Sequence, residues 1–237
     1  MAASTVTDPV HLLWTGGWDS TFRLLQLLLL SDRVVQPHYV IDSGRRSTDI
    51  ELRTMEDLRR ALAKEHPAAA GRLRPTRFQD LAEIPPVPGI SQAFLRIRAH
   101  TRIGGQYDWL ARYCAHEAVS AMELGIHCDD RAHHVLARIV RDGRVREDAH
   151  GSDEWQVFRC FRFPLFDTPK TVMAEQAAAR GWSRYMDMTW FCHSPRANGT
   201  PCGICAPCRF TAEEGLGHRL PLAARLRARV RRLGRGR

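Results

Sequence analysis

His11-Leu-Leu-Trp-Thr-Gly-Gly-Trp-Asp-Ser-Thr-Phe22 carries an apolar run into two glycines and then into the leucine-rich segment Phe22 to Leu30. That order reads as a strand, a tight loop and the start of a helix. Gly16 and Gly17 have no side chains, so backbone N–H groups there can turn toward an anion and approach it closely. The helix that follows adds unpaired N–H groups and the positive end of its dipole, and the hydroxyls of Thr15, Ser20 and Thr21 add donors. Such a loop suits phosphate. Asp19 would repel phosphate unless a cation stood between them, which points to Mg²⁺ shared by protein and nucleotide. The candidate nucleotide-binding stretch is therefore Trp14, Thr15, Gly16, Gly17, Trp18, Asp19, Ser20 and Thr21. It matches neither the Walker pattern, for lack of Gly-Lys-Ser/Thr, nor the dinucleotide fingerprint of three spaced glycines.

Working outward, Val34 to Ile41 reads as a second strand ending in Asp42-Ser-Gly-Arg-Arg46, and Ile50 to Glu65 has helical spacing. Leu73 to Phe78 reads as a third strand. Alternating strands and helices predict an α/β fold, a doubly wound, Rossmann-like parallel sheet whose ligands gather at the C-terminal strand edge. The glycine loop and Asp42-Ser43-Gly44 both fall there. Leu81 to Gly105, with Pro85, Pro86 and Pro88, reads as a long connection contributing to a substrate pocket. Gln106 to Leu124 carries a helical apolar stripe. Ala132 to Val140 is expected to be a fourth strand closing at the turn Asp142-Gly143, and Phe158 to Phe166 a fifth. A helix should follow, with Thr168 as N-cap and Pro169 at its first position. Lys170 stands in its first turn. It is one of only two lysines in a chain that otherwise uses arginine, and a lysine is the more compact point charge for a phosphate.

Composition bounds the remaining possibilities. The 237 residues suffice for one α/β domain plus a small appendage. No leucine-rich run is long enough to span a bilayer, and Met1 to Asp8 lacks the charged-then-apolar pattern of a leader, so a cytoplasmic protein without a membrane partner is expected. The formal charge of +9 raises nucleic-acid binding. The arginine bias and the Arg225–Arg237 tail, read as a solvated end, account for much of it, and nucleic acid is not the favoured partner.

Cys192-x9-Cys202-Gly-Ile-Cys205-Ala-Pro-Cys208 gathers four thiols within 17 residues. Two overlapping Cys-x2-Cys turns can offer three sulfurs to one ion, and Cys192 completes a closed tetrahedral zinc site of structural character. An iron–sulfur cluster, free thiols, or His193 in place of a cysteine are the alternatives. The expected domains are a nucleotide-binding domain over residues 1–186, a zinc subdomain over 187–217 and a basic tail over 218–237.

The loop resembles the Ser-Gly-Gly-x-Asp-Ser motif of the PP-loop ATP pyrophosphatases, with Thr15 for the first serine. Together with the Cys₄ spacing, the chain resembles the 7-cyano-7-deazaguanine synthase family. Asp42-Ser43-Gly44-Arg45-Arg46 is similar to that family's Asp-Tyr-Gly-Gln-Arg stretch, Pro164 to Lys170 to its Pro-Leu-x-x-x-x-Lys, and Trp190-Phe191-Cys192 to its Trp-Ser-Cys. The resemblance implies an adenine nucleotide α-hydrolase-like fold and an ATP-dependent ligase. Such a ligase adenylates a carboxylate, releases pyrophosphate and uses ammonia to reach an amide, which a second ATP activates toward a nitrile. It further implies Asp19, Ser20 and Lys170 as catalytic residues, Asp42, Gly44 and Arg46 as additional nucleotide contacts, ATP, Mg²⁺ and Zn²⁺ as cofactors, and a homodimer. The family's Asp-Tyr and Asp-Cys-Arg elements are missing from Arg141 to Glu154, and Arg102 to Asp108 departs from its Pro-x-Arg-Asn. The acid is therefore expected to be 7-carboxy-7-deazaguanine or a related one. A tRNA-modifying enzyme of the same superfamily and a non-catalytic nucleotide- or RNA-binding module are the other readings.

Overall fold

β1 (Val10–Leu13) runs through the glycine turn into α1 (Trp18–Leu29), whose Phe22, Leu24, Leu25, Leu27 and Leu28 are all buried. This computed structural model describes residues 8–233, with side chains through 228; part of the N-terminal stretch read for a leader, and the end of the basic tail, lie outside them. β2 (Val35–Ile41) follows, buried over its first six residues. Then come α2 (Thr48–Glu65), α3 (Pro67–Ala70) and β3 (Arg77–Asp80). Leu73, expected in that strand, makes only an isolated bridge to Val35.

α4 (Pro88–His100) and α5 (Gln106–His116) lead to β4 (Met122–Glu123), and α6 (Arg131–Leu136) to a hairpin of β5 (Val140–Arg141) and β6 (Arg144–Val145). α7 (Asp153–Phe158) precedes β7 (Phe161–Arg162), and α8 (Lys170–Ala179) and α9 (Ser183–Met188) complete the α/β part. α10 (Ala206–Glu213) and α11 (Leu222–Leu233) form the C-terminal lobe. The main sheet has five parallel strands in the order β3-β2-β1-β4-β7. Helices cover both faces. Leu12 joins one apolar core with α1, α2, α8 and α9, while its neighbour Leu13 packs on the other with α4, α5 and α7; successive strand residues point to opposite faces.

Three expectations need correction. Ala132 to Val140 is not the fourth strand. Asp130 accepts a hydrogen bond from the Ala132 N–H at 2.8 Å and so caps α6, and only Val140 is extended enough to start a hairpin. The fourth strand is instead Met122–Glu123, inside the stripe read as one helix. That helix stops because Ala118 adopts a left-handed φ of 53° and the Val119 N–H turns back to the Cys114 carbonyl. The connection from Leu81 to Gly105 is mostly α4, since Pro88 occupies a first-turn position where proline costs no hydrogen bond, and Ile90, Ala93, Phe94 and Ile97 then face the core. The Asp142-Gly143 turn is present, both residues having positive φ, as a tight hairpin requires.

A buried polar chain crosses the sheet beneath α5. His11 Nδ1 lies 2.8 Å from His38 Nε2, and His38 Nδ1 lies 2.7 Å from the Tyr113 hydroxyl. Burial, followed by the neighbouring His11 and Arg77, holds the His38 pKa down to about 3. Below pH 6.5 the unfolded chain takes up a proton that the folded one refuses. Stability should therefore fall as pH drops from 6.5 toward 3, by up to about 1.4 kcal/mol per pH unit from this group. Urea titrations at pH 7, 6 and 5 test this. His38→Gln should reduce the slope by about one proton, and an unchanged slope would remove His38 as its source.

Candidate functional site

The C-terminal ends of β1 and β4 open onto a cavity of about 1370 Å³, and a smaller hollow of about 190 Å³ lies beside it. Thr15, Gly17 and Asp19 line both, and Ser20 lines the smaller. Gly17 is extended (φ −74°, ψ 163°) at the N-cap of α1, with no side chain capping the helix. The first amides of α1 therefore have neither an intrahelical acceptor nor a side-chain one. A second glycine brings the opposite wall close: a Cβ on Gly125, just past β4, would lie 3.2 Å from the Ser20 nitrogen.

Lys170 reaches this loop from the start of α8. Its Nζ lies 3.5 Å from Asp19 Oδ1, 2.7 Å from Glu214 Oε2 and 5.9 Å from the centre of the Trp18 ring. Burial disfavours the ammonium, but the carboxylates of Asp19 and Glu214 outweigh it and raise the lysine's pKa above its ordinary value. Pro169, rather than Thr168, is the N-cap residue of α8, and the Lys170 N–H donates to Asp129 Oδ2 at 3.0 Å. The cap thus comes from a distant segment. His127 stands between the two acids, with Nε2 3.8 Å from Asp19 Oδ1 and Nδ1 3.6 Å from Asp129 Oδ2.

Other residues singled out from the sequence sit elsewhere. Trp14 is fully buried, donating from Nε1 to Thr21 Oγ1 at 3.0 Å, so both serve the core rather than the cavity. Gly16, with φ of 66°, is pressed against α2: a Cβ would meet Thr54 at 3.1 Å and the Glu51 carbonyl at 3.3 Å. Asp42 closes a local turn by accepting the Gly44 N–H at 3.0 Å. Neither it, Gly44 nor Arg46 lines the cavity; Arg45 does, 3.5 Å from Glu51. The last turn of α4 and the segment between α4 and α5 do contribute a wall, with Arg98, Thr101, Arg102 and Ile103. His127, Asp129, Arg131, Glu214 and Arg219 were not anticipated. Placing β4 correctly would have put His127 to Arg131 on the ligand edge.

The sulfurs of Cys192, Cys202, Cys205 and Cys208 all lie within 4.8 Å of one another. Cys202 to Cys208 and Cys192 to Cys205 each measure 3.9 Å. Four thiolates about 2.3 Å from one tetrahedral ion would stand roughly 3.8 Å apart, so the cluster has the dimensions for a metal such as zinc. Backbone N–H groups of Cys202, Ile204 and Cys205 point at the sulfurs of Cys192 and Cys202 at 3.2–3.4 Å, as suits negatively charged thiolates. His193 lines the cavity instead. α11, which from Arg225 onward reads in the sequence as a solvated end, packs here. Ala224 is fully buried, and Arg227 donates to the Cys202 carbonyl at 2.9 Å. The lobe is tied to the loop by the Trp190 N–H, which donates to the Gly16 carbonyl at 2.9 Å.

Comparison with protein-family models, with curated proteins and with solved structures finds no match to this chain. Among the described residues, no helix is long and apolar enough to cross a membrane.

Gly203 sets a test of the lobe. Its φ is 78°, and a Cβ would fall 2.2 Å from the Ala224 carbonyl oxygen. Gly203→Ala should displace α11 and lower both the thermal midpoint and the metal content measured by mass spectrometry; unchanged values for both would contradict this packing.

Proposed function

We propose that this protein is an ATP-dependent ligase that adenylates a carboxylic acid, releases pyrophosphate, and passes the activated acyl group to ammonia. The observation that carries the reading is the uncapped start of α1 facing a cavity with Lys170 and Asp19 beside it, 3.5 Å apart. A carboxylate is a poor electrophile because its oxygen leaves badly. Attack of that oxygen on the α-phosphorus of ATP expels pyrophosphate and gives an acyl adenylate. Ammonia then adds to the carbonyl, AMP leaves, and a proton is lost to give the amide.

In this reading the amides at the start of α1, the Ser20 hydroxyl and Lys170 receive the charge that builds on pyrophosphate. They act through fixed electrostatics and positioning, without a covalent enzyme nucleophile. Asp19 is the residue that would hold Mg²⁺, whose charge offsets that of the phosphates. Pockets for a single small ligand commonly measure about 300–1,000 Å³, so a cavity of about 1370 Å³ leaves room for an acceptor beside the nucleotide. The acceptor wall is Arg98, Thr101, Arg102 and Ile103, and the substrate is 7-carboxy-7-deazaguanine or a related acid, taken to an amide, or on to a nitrile if a second ATP adenylates the amide oxygen so that it departs with AMP. The cysteine cluster holds zinc in a structural role, closed to water by its four thiolates.

Arg98, Arg102 and Arg131, exposed at the cavity wall, favour a second reading in which the acceptor is a tRNA base. Incubation with labelled ATP and Mg²⁺ separates the two: AMP formation dependent on a small acid supports the ligase, and dependence on tRNA the alternative. Asp19→Ala should abolish AMP formation, by at least about a hundredfold, with the circular dichroism spectrum unchanged. Turnover retained in that variant would remove Asp19 from the mechanism. Cys205→Ser should instead lose zinc and thermal stability together.

A further inference from the structure

We infer that Glu214, the residue following α10 in the cysteine-rich lobe, is a positioning residue that competes with the phosphate-bearing ligand for Lys170 and so sets the anion affinity of the cleft. The inference rests on the proposed reading of the glycine loop as a pyrophosphate site. Lys170 Nζ is 2.7 Å from Glu214 and 3.5 Å from Asp19, so the carboxylate from the distant lobe is the nearer partner. Both ends of the pair are mostly buried, 13% and 19% exposed as side chains, and the contact is therefore little screened by solvent. Asp19, Asp129 and Glu214 line the cavity together with Lys170, and Asp129 accepts that lysine's backbone N–H; Arg45, Arg98, Arg102, Arg131 and Arg219 line the same cavity, so the competition argued here is local to the lysine.

A phosphate oxygen that takes a hydrogen bond from Lys170 must share or displace the one held by Glu214. Charge-assisted bonds of this kind are the strong ones, so the exchange is costly. Removing the charge of Glu214 while keeping its shape frees the ammonium for the ligand.

α10 is anchored at its other end by the metal-binding cluster. Cys205 is its N-cap residue and Cys208 lies in its first turn. The helix thus links the sulfur cluster to the lysine, and Glu214 is the side chain through which it reaches that ammonium. An ion pair formed only to stabilise the fold would leave ligand affinity unchanged when broken.

The test is equilibrium binding of magnesium pyrophosphate to the full chain, followed by calorimetry, in wild type, Glu214→Gln, Lys170→Met and the double variant. Glu214→Gln should bind on the order of tenfold more tightly, and Lys170→Met on the order of tenfold more weakly. In the Lys170→Met background, Glu214→Gln should have no further effect, since its action passes through the lysine. Wild-type binding with Glu214→Gln equal or weaker overturns the inference and leaves the pyrophosphate loop standing. No binding in wild type or any variant overturns the loop reading itself, and the inference with it. Matching circular dichroism spectra and metal contents exclude misfolding, and Glu214→Ala provides a second variant should the glutamine not fold.

Discussion

The turn at Gly16 is the constraint on which the cleft depends. With φ at 66° and α2 within 3.1–3.3 Å of where a side chain would begin, this position bends the chain out of β1 while lying beneath a helix. The left-handed backbone and the lack of space exclude other residues for separate reasons. The Gly16 carbonyl also receives the Trp190 N–H, so the same residue fastens the loop to the start of the cysteine-rich lobe. Gly17, Asp19 and Ser20 face the cavity because Gly16 has already made the turn.

The two glycines of the sequence therefore do different work. Gly16 provides curvature and packing, and Gly17 provides backbone at the cavity wall. A reading from composition alone assigns both to the ligand, since the contact with α2 is long-range and leaves no trace in a local window. Lys170 was legible because one of only two lysines in an arginine-rich chain stands out. Its partner Glu214 was not, being 44 residues away on another lobe with no distinguishing neighbours.

The order of strand, loop, helix and strand at the start of the chain was plain from hydrophobic pattern, and the four cysteines declared their cluster by spacing. The middle was harder for a physical reason. β4 and β7 contain only two residues each, too short to display any alternation; β4 sits inside the apolar stripe of Gln106 to Leu124, whose periodicity belongs to a helix, whereas β7 lies within Phe158 to Phe166, which reads as a strand. The segment that looked most like a strand, Ala132 to Val140, is pulled into a helix by the cap from Asp130. Misplacing β4 by about ten residues hid His127, Asp129 and Arg131, which follow directly from its end.

The brevity of β4 and β7 has a consequence for how this architecture can change over time. Few ladder hydrogen bonds join that flank of the sheet to the rest, and its helices are held mainly by side-chain packing among Phe94, Leu110, Phe158 and Phe161. Packing of that sort tolerates substitution when volume is conserved. The flank bearing Arg98 and Arg102 can thus diverge and accept new partners while the flank built on β1, β2 and α1 stays as it is.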